Sequence, residues 1–245
     1  MAFIKTLLSK LYIVWVVLVF TGFMILFLPG FLIPPLFGPR AVVVTHFFIK
    51  CWSWIYSYLN FIPYDIRNRE RIVRGRSYIF VSNHTSFMDI PALVVTIKGQ
   101  FRALAKKELL KLPVFGWIVQ VMCVVVDRST NESRRKSIEN LKRILHMGIS
   151  VLIFPEGTQN RTKEPLQPFY DGAFRIAVET QEPIIPIVVL GAGKIMPPGR
   201  AYIQPGKITV LIGEEIPTTG LTLAEVKELR EKVFGIMSNM IASNQ

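Results

Sequence analysis

The chain has 245 residues, enough for one domain with an appendage, and 51% of them are hydrophobic. With 29 Lys and Arg against 17 Asp and Glu, the formal net charge is +12; in so apolar a chain this points to an anionic membrane surface or a phosphorylated substrate before nucleic acid. Two cysteines, Cys51 and Cys123, exclude a disulfide framework, and with three scattered histidines they offer no zinc-type ligand spacing, so no metal is expected.

Leu11 to Leu28, LYIVWVVLVFTGFMILFL, carries no charge and covers about 27 Å as a helix, enough for a membrane span. A cleavable signal peptide is the alternative reading, but the run is long for one and no small-x-small site follows it. Pro29-Gly30 and Pro34-Pro35 are expected to break the helix. Ala41 to Phe61 follows, rich in Phe, Trp and Tyr of the kind that favour a lipid interface. Lys5 and Lys10 precede the run, and Arg40 and Lys50 follow it. Both flanks are positive, which suits a hairpin that enters the bilayer without crossing it; a single-pass anchor is the alternative. Residues 1–62 are therefore read as a membrane-associating helical segment and residues 63–245 as a globular domain.

In that domain short β-branched runs alternate with longer amphipathic ones. Strands are predicted at Asp65–Val73, Tyr78–Val81, Phe101–Ala105, Val121–Val126, Ser150–Phe154, Ile184–Leu190 and Lys207–Ile212. Helices are predicted at Ser86–Ile97, Lys107–Gln120 (split near Pro113), Glu132–Met147, Gly172–Thr180 and Thr222–Ser243. Gly148 is placed to end the helix that precedes it. The fold class is α/β, a mixed and partly parallel sheet flanked by helices, with the two-helix segment in front.

Three polar clusters directly follow predicted strands: Asn83-His84, Asp127-Arg128 and Pro155-Glu156-Gly157-Thr158. If those strands are parallel neighbours, the clusters converge on the rim where α/β sheets hold their ligands. Ser86-Phe87-Met88-Asp89 matches a capping box, which explains Asp89 without any chemistry. The same turn would let the Asp89 carboxylate reach the imidazole of His84, so the two readings are compatible. Such a pair suits proton removal from a hydroxyl, since histidine's ordinary pKa of about 6.5 permits it near neutral pH. No G-x-S-x-G elbow occurs, so the attacking hydroxyl is expected on the substrate. Gly157 and Thr158 could bind an anion through N–H and hydroxyl groups, and Glu156 could accept from a substrate hydroxyl. Arg128 and then Lys106 are the cation candidates, each following a strand. Arg67, Arg69, Arg71, Arg74 and Arg76 read as a face toward anionic lipid. Gly191-Ala192-Gly193-Lys194 lacks P-loop spacing and is set aside.

Asn83-His84-x4-Asp89, Arg128, Phe154-Pro155-Glu156-Gly157-Thr158 and Pro183-Ile184-Ile185-Pro186-Ile187, in that order, resemble the four blocks of the glycerolipid acyltransferase family, most closely its bacterial 1-acylglycerol-3-phosphate (lysophosphatidic acid) branch. The resemblance covers roughly residues 77–191, and Ala105-Lys106-Lys107-Glu108-Leu109 supports it. Gln159 departs from the Arg that many members carry there, with Arg161 two positions on. The resemblance implies that His84 is the general base and Asp89 its partner. It implies that Arg128, Glu156, Gly157 and Thr158 hold the glycerol phosphate with help from Lys106, and that Pro186 shapes the acyl site. It implies direct transfer from an acyl carrier protein or coenzyme A thioester to lysophosphatidic acid, giving phosphatidic acid, with no cofactor beyond that donor. The setting implied is the cytoplasmic face of the phospholipid bilayer. Acylation of glycerol 3-phosphate or a lysophospholipid, and a non-enzymatic membrane scaffold, are the alternatives; no recognised nucleic-acid motif is present.

Overall fold

Ile79, Phe80 and Val81 expose no surface at all, because the strand they form is covered on both faces. Such a strand reads as a continuous apolar run rather than an alternating one, as in buried parallel sheets. The computed structural model describes residues 2–38, 41–112, 114–126 and 131–244. Its strands are β1 (Tyr64–Arg67), β2 (Ile79–Ser82), β3 (Phe101–Lys106), β4 (Cys123–Val126), β5 (Ser150–Ile153), β6 (Ile184–Leu190) and β7 (Ile208–Ile212). They form one sheet in the order β1-β7-β6-β2-β5-β3-β4. β2 is parallel to β5 and β6, and β3 is parallel to β4 and β5.

The helices are α1 (Ala2–Leu32), α2 (Val42–Leu59), α3 (Asp89–Thr96), α4 (Phe115–Met122), α5 (Asn131–His146), α6 (Gly172–Thr180), α7 (Ala192–Ile195) and α8 (Val226–Ala242). The chain divides into two compact units. One comprises Met1–Arg67, Thr85–Thr96 and Val189–Val210; the other comprises Asn68–His84, Ile97–Val188 and Leu211–Gln245.

In the first unit α1 and α2 pack through aromatic rings. Phe20 meets Trp52 edge-on at 5.2 Å and Tyr56 at 5.9 Å, and Trp52 stacks on Tyr56 at 5.3 Å. Gly30 lies against the Phe48 ring, which any Cβ would overlap. Tyr12 Oη and Trp15 Nε1 donate to the carbonyls of Asn60 and Leu59 at 2.6 and 3.0 Å, closing orphan acceptors at the end of α2. The stretch Thr6–Phe37 is long and apolar enough to cross a membrane. Leu8, Leu11, Val14, Val17, Leu18, Ile25 and Leu26 are all exposed on it, apolar surface that suits association with a bilayer.

In the second unit Leu141 and Leu145 of α5 are each 1% exposed, the apolar face expected of that helix. Gly148, at φ +74°, ends it as the sequence predicts. A true capping box closes the start of the last helix, where Thr222 and Glu225 cap each other around a 3₁₀ turn.

Several boundaries differ from expectation. Pro29 does not break α1, which runs to Leu32; so near a helix end the missing N–H costs only one hydrogen bond. The strand predicted over Asp65–Val73 stops at Arg67, because Asn68 turns left-handed at φ 60° and Arg69–Arg71 form a 3₁₀ turn. The helix predicted at Ser86 starts at Asp89. Lys107–Gln120 is a 3₁₀ turn over Lys107–Lys111 and then α4, and the strand predicted from Val121 begins at Cys123, since Met122 is buried in the last turn of α4. Two arginines of the basic cluster are also tied to distant parts of the chain. Arg71 donates to the Ile212 carbonyl at 2.8 Å and pairs with Glu214, and Arg76 pairs with Glu215 at 2.9 Å.

Candidate active site

The strands decide where the polar clusters fall. Val81 lies opposite Ile153, Ala103 opposite Leu152, and Lys106 opposite Val126. Because β2, β5, β3 and β4 are parallel neighbours, the chain leaves all four at one edge. Asn83-His84 and Phe154–Thr158 therefore share a rim, as expected of two of the three clusters, and Lys106 joins them there. Arg128 follows Val126 directly after Asp127, and both lie outside the described residues.

The His84 turn is held by the loop after β5. Its N–H donates to Glu156 Oε1 at 2.9 Å, and its carbonyl accepts from the Asn160 N–H at 2.6 Å. The imidazole stacks on the Phe154 ring, 4.1 Å between centroids and 19° between planes. Glu156 is 2% exposed, and its other oxygen, Oε2, accepts the Gln167 N–H at 2.8 Å. Glu156 is thus turned into the chain rather than outward. Asn160 fixes the loop's own shape, with Oδ1 accepting from Thr162 N at 2.9 Å and Gln167 Nε2 at 3.1 Å. Sequence reasoning missed Asn160, Gln167 and the Phe154 ring; the Asn-x-Thr pattern at 160–162 was the available signal for an Asx turn.

Gly157 needs its lack of a side chain. It sits at φ +70°, and its N–H closes a turn onto the Phe154 carbonyl at 3.0 Å. It opens onto a cavity of about 470 Å³ lined by Leu104, Val126, Leu141, Phe154, Gly157 and Ile176 among others. Thr158, Arg161, Lys163 and Lys106 are exposed. Pro186 is buried in the middle of β6 opposite Val81 and is not part of this cavity's wall.

The Asp89 turn belongs to the other unit. Asp89 is fully buried at the start of α3. Its Oδ2 accepts the N–H groups of Thr85 and Ser86 at 2.7 and 2.8 Å, so the carboxylate supplies the cap expected of it, favoured further by the positive end of the helix. Ser86 Oγ accepts the Met88 N–H at 3.1 Å and donates to the Met196 carbonyl at 2.8 Å. Gly193 of the unpredicted α7 packs against Thr85, where an added Cβ would come within 3.2 Å of the threonine Cβ.

A histidine turn, a Phe-Pro-Glu-Gly-Thr turn and an apolar cavity thus share one rim of the parallel strands on an α/β scaffold. The acyltransferase family model matches residues 63–190, and the chain belongs to that family. It is 35% identical over 176 residues to the chloroplastic 1-acyl-sn-glycerol-3-phosphate acyltransferase BAT2 of Brassica napus, covering 70% of this chain and 50% of that one. It is 31% identical over 188 residues to the human 1-acyl-sn-glycerol-3-phosphate acyltransferase beta, covering 76% and 66%. The chain thus spans about half the length of the plant relative and about two thirds of the human one. The crystal structure of the 1-acyl-sn-glycerophosphate (LPA) acyltransferase PlsC from Thermotoga maritima superposes with a TM-score of 0.78 at 27% identity, over 99% of this chain and 97% of that one.

Neither Ser86 nor Cys123 is set up as a nucleophile. The Ser86 hydroxyl is buried and its proton is committed to Met196. Burial pushes the Cys123 thiol up to about 12, with the Arg102 guanidinium opposing it. At pH 8 such a thiol is roughly a thousandfold less ionised than an ordinary one, and only the thiolate reacts. Iodoacetamide at pH 8 should therefore leave Cys123 unlabelled in the folded chain, by peptide mass spectrometry, and label it after denaturation. Native labelling at the rate of a free thiol would contradict the burial.

Proposed function

We propose that this chain is a membrane-associated 1-acylglycerol-3-phosphate O-acyltransferase. It moves a fatty acyl group from an acyl carrier protein or coenzyme A thioester to the free hydroxyl of lysophosphatidic acid, giving phosphatidic acid. The observation that carries this reading is the hydrogen-bonded union of the His84 turn with the Glu156 loop on the rim of the parallel sheet.

His84 takes the proton of the acceptor hydroxyl as its oxygen attacks the thioester carbonyl. The tetrahedral intermediate collapses, the C–S bond breaks, and the thiolate leaves with a proton returned from the imidazolium. Asp89, five residues on across the turn, fixes the tautomer and stabilises the imidazolium. Arg128 holds the acceptor phosphate as a planar, permanently charged fork, with Lys106, Thr158 and the Gly157 backbone around it. The cavity beside Phe154 and Gly157 offers room for hydrocarbon. A thiolate leaves readily, so the reaction needs no cofactor beyond the donor. α1 and α2 form a hairpin that dips into the cytoplasmic leaflet, so the acceptor's chain stays in lipid while its headgroup is acylated.

His84→Ala should leave the fold intact and lower turnover by about 10² to 10⁴-fold. Asp89→Asn should also lower it, both through the tautomer and by weakening the cap. Near-normal turnover by folded His84→Ala would sink the mechanism. Arg128→Ala should lose about 1.5–3 kcal/mol of transition-state stabilisation on lysophosphatidic acid and little on a phosphate-free monoacylglycerol; equal losses on both acceptors would remove Arg128 from the phosphate. A cysteine placed at residue 3 should be accessible to an impermeant reagent on the same side of sealed inverted vesicles as the globular domain. Protection of that residue alone would mean a single-pass anchor.

A further inference from the structure

Beyond the strand ends the backbone N–H and C=O groups have no ladder partners and must find them elsewhere. Ser82 is the last residue of β2, so His84 stands where the sheet no longer fixes the chain. Two groups from one loop fix it instead. Glu156 Oε1 takes the His84 N–H and Asn160 N–H caps the His84 carbonyl, at 2.9 and 2.6 Å. The loop is pinned in turn by Glu156 Oε2 on the Gln167 N–H at 2.8 Å and by Gln167 Nε2 on Asn160 Oδ1 at 3.1 Å. Glu156 is 2% exposed and Asn160 is 7% exposed, which places both among the backbone they tie and away from solvent. A buried carboxylate that accepts two backbone N–H groups is well compensated, and such charge-assisted bonds are stronger than neutral ones.

We propose that Glu156 is a positioning residue for His84, bridging the backbone of the base to the loop after β5, rather than a ligand of the acceptor. The assignment rests on His84 being the base, as set out above. Its geometric content is independent of that: one side chain fixes the ring's point of attachment, and the Phe154 ring fixes one of its faces. A displacement of the base by about 1 Å is enough to cost about 10²-fold in rate. Glutamine cannot replace this glutamate. It keeps one acceptor but turns its NH₂ toward the second backbone N–H, donor against donor.

The test is Glu156→Gln in the full chain in phospholipid nanodiscs, with Glu156→Asp as the variant that keeps the charge but shortens the reach. Two readouts are taken. Steady-state kinetics should show kcat reduced by about 10²-fold, with KM for lysophosphatidic acid unchanged, and the same reduction on a phosphate-free acceptor. Amide hydrogen exchange without any substrate should show the His84 N–H exchanging at least about tenfold faster in both variants. A raised KM for lysophosphatidic acid with His84 exchange unchanged would overturn the proposal and make Glu156 an acceptor ligand. Unchanged kcat together with unchanged exchange would also overturn it. The exchange measurement does not depend on catalysis. If His84→Ala proves active, the base assignment fails while faster exchange in Glu156→Gln still confirms the bridge.

Discussion

One buried carboxylate ties the functional edge of this protein together. A parallel sheet aligns the ends of its strands, but it does not fix the loops that leave them, because the ladder of N–H and C=O partners ends with the last paired residue. Glu156 solves this for two loops at once, accepting an N–H from His84 and another from Gln167. Asn160 closes the same junction on the carbonyl side. Sheet register sets the rim to within a residue, and these side chains set it to within a hydrogen bond. The division of labour is physical: core packing tolerates small adjustments, whereas a hydrogen bond holds over a narrow range of distances.

The parts of the fold legible in the sequence are those governed by local pattern. α6 at Gly172–Thr180 and β6 at Ile184–Leu190 occupy the predicted residues, one with an amphipathic period and the other as an apolar, mostly β-branched run. The rim was legible because polar clusters follow apolar runs, and parallel pairing then brings them together. What was not legible depended on distant partners. Nothing local says that Arg71 reaches the Ile212 carbonyl or that Arg76 meets Glu215, so the arginines read as an outward basic face. Nothing local marks Asn160 and Gln167 as anchors for a residue some eighty positions earlier. Asp89 was readable in two ways, as cap and as partner of the base. Its bonds to Thr85 and Ser86 establish the first and are compatible with the second.

The N-terminal helices obey a different rule from the rest. On α1 a long series of large apolar side chains covers the outside while Val16, Val19, Met24 and Phe31 are buried, and the α1–α2 contact is made by interlocking rings and one glycine. Exposed hydrocarbon adds nothing to the stability of a chain in water and a great deal to its affinity for lipid. The interior of this pair is therefore specific while its exterior is only greasy, as expected of an element whose second partner is a fluid.

The double anchoring of the loop after β5 divides it into a buried part and an exposed part. Glu156 at one end, Gln167 at the other and Asn160 between them are buried or half-buried anchors, while Arg161 to Pro165 form an exposed arc whose Thr162 and Glu164 bond back to Asn160 and to each other. Thr162 and Glu164 therefore bear on the residue that caps the His84 carbonyl, while Arg161 and Lys163 lie exposed on the arc. Even doubling the length of a flexible loop adds only about 0.6 kcal/mol of closure entropy. Arg161 and Lys163 are thus where the exposed charge of this loop can change while the Asn160 junction keeps its bonds.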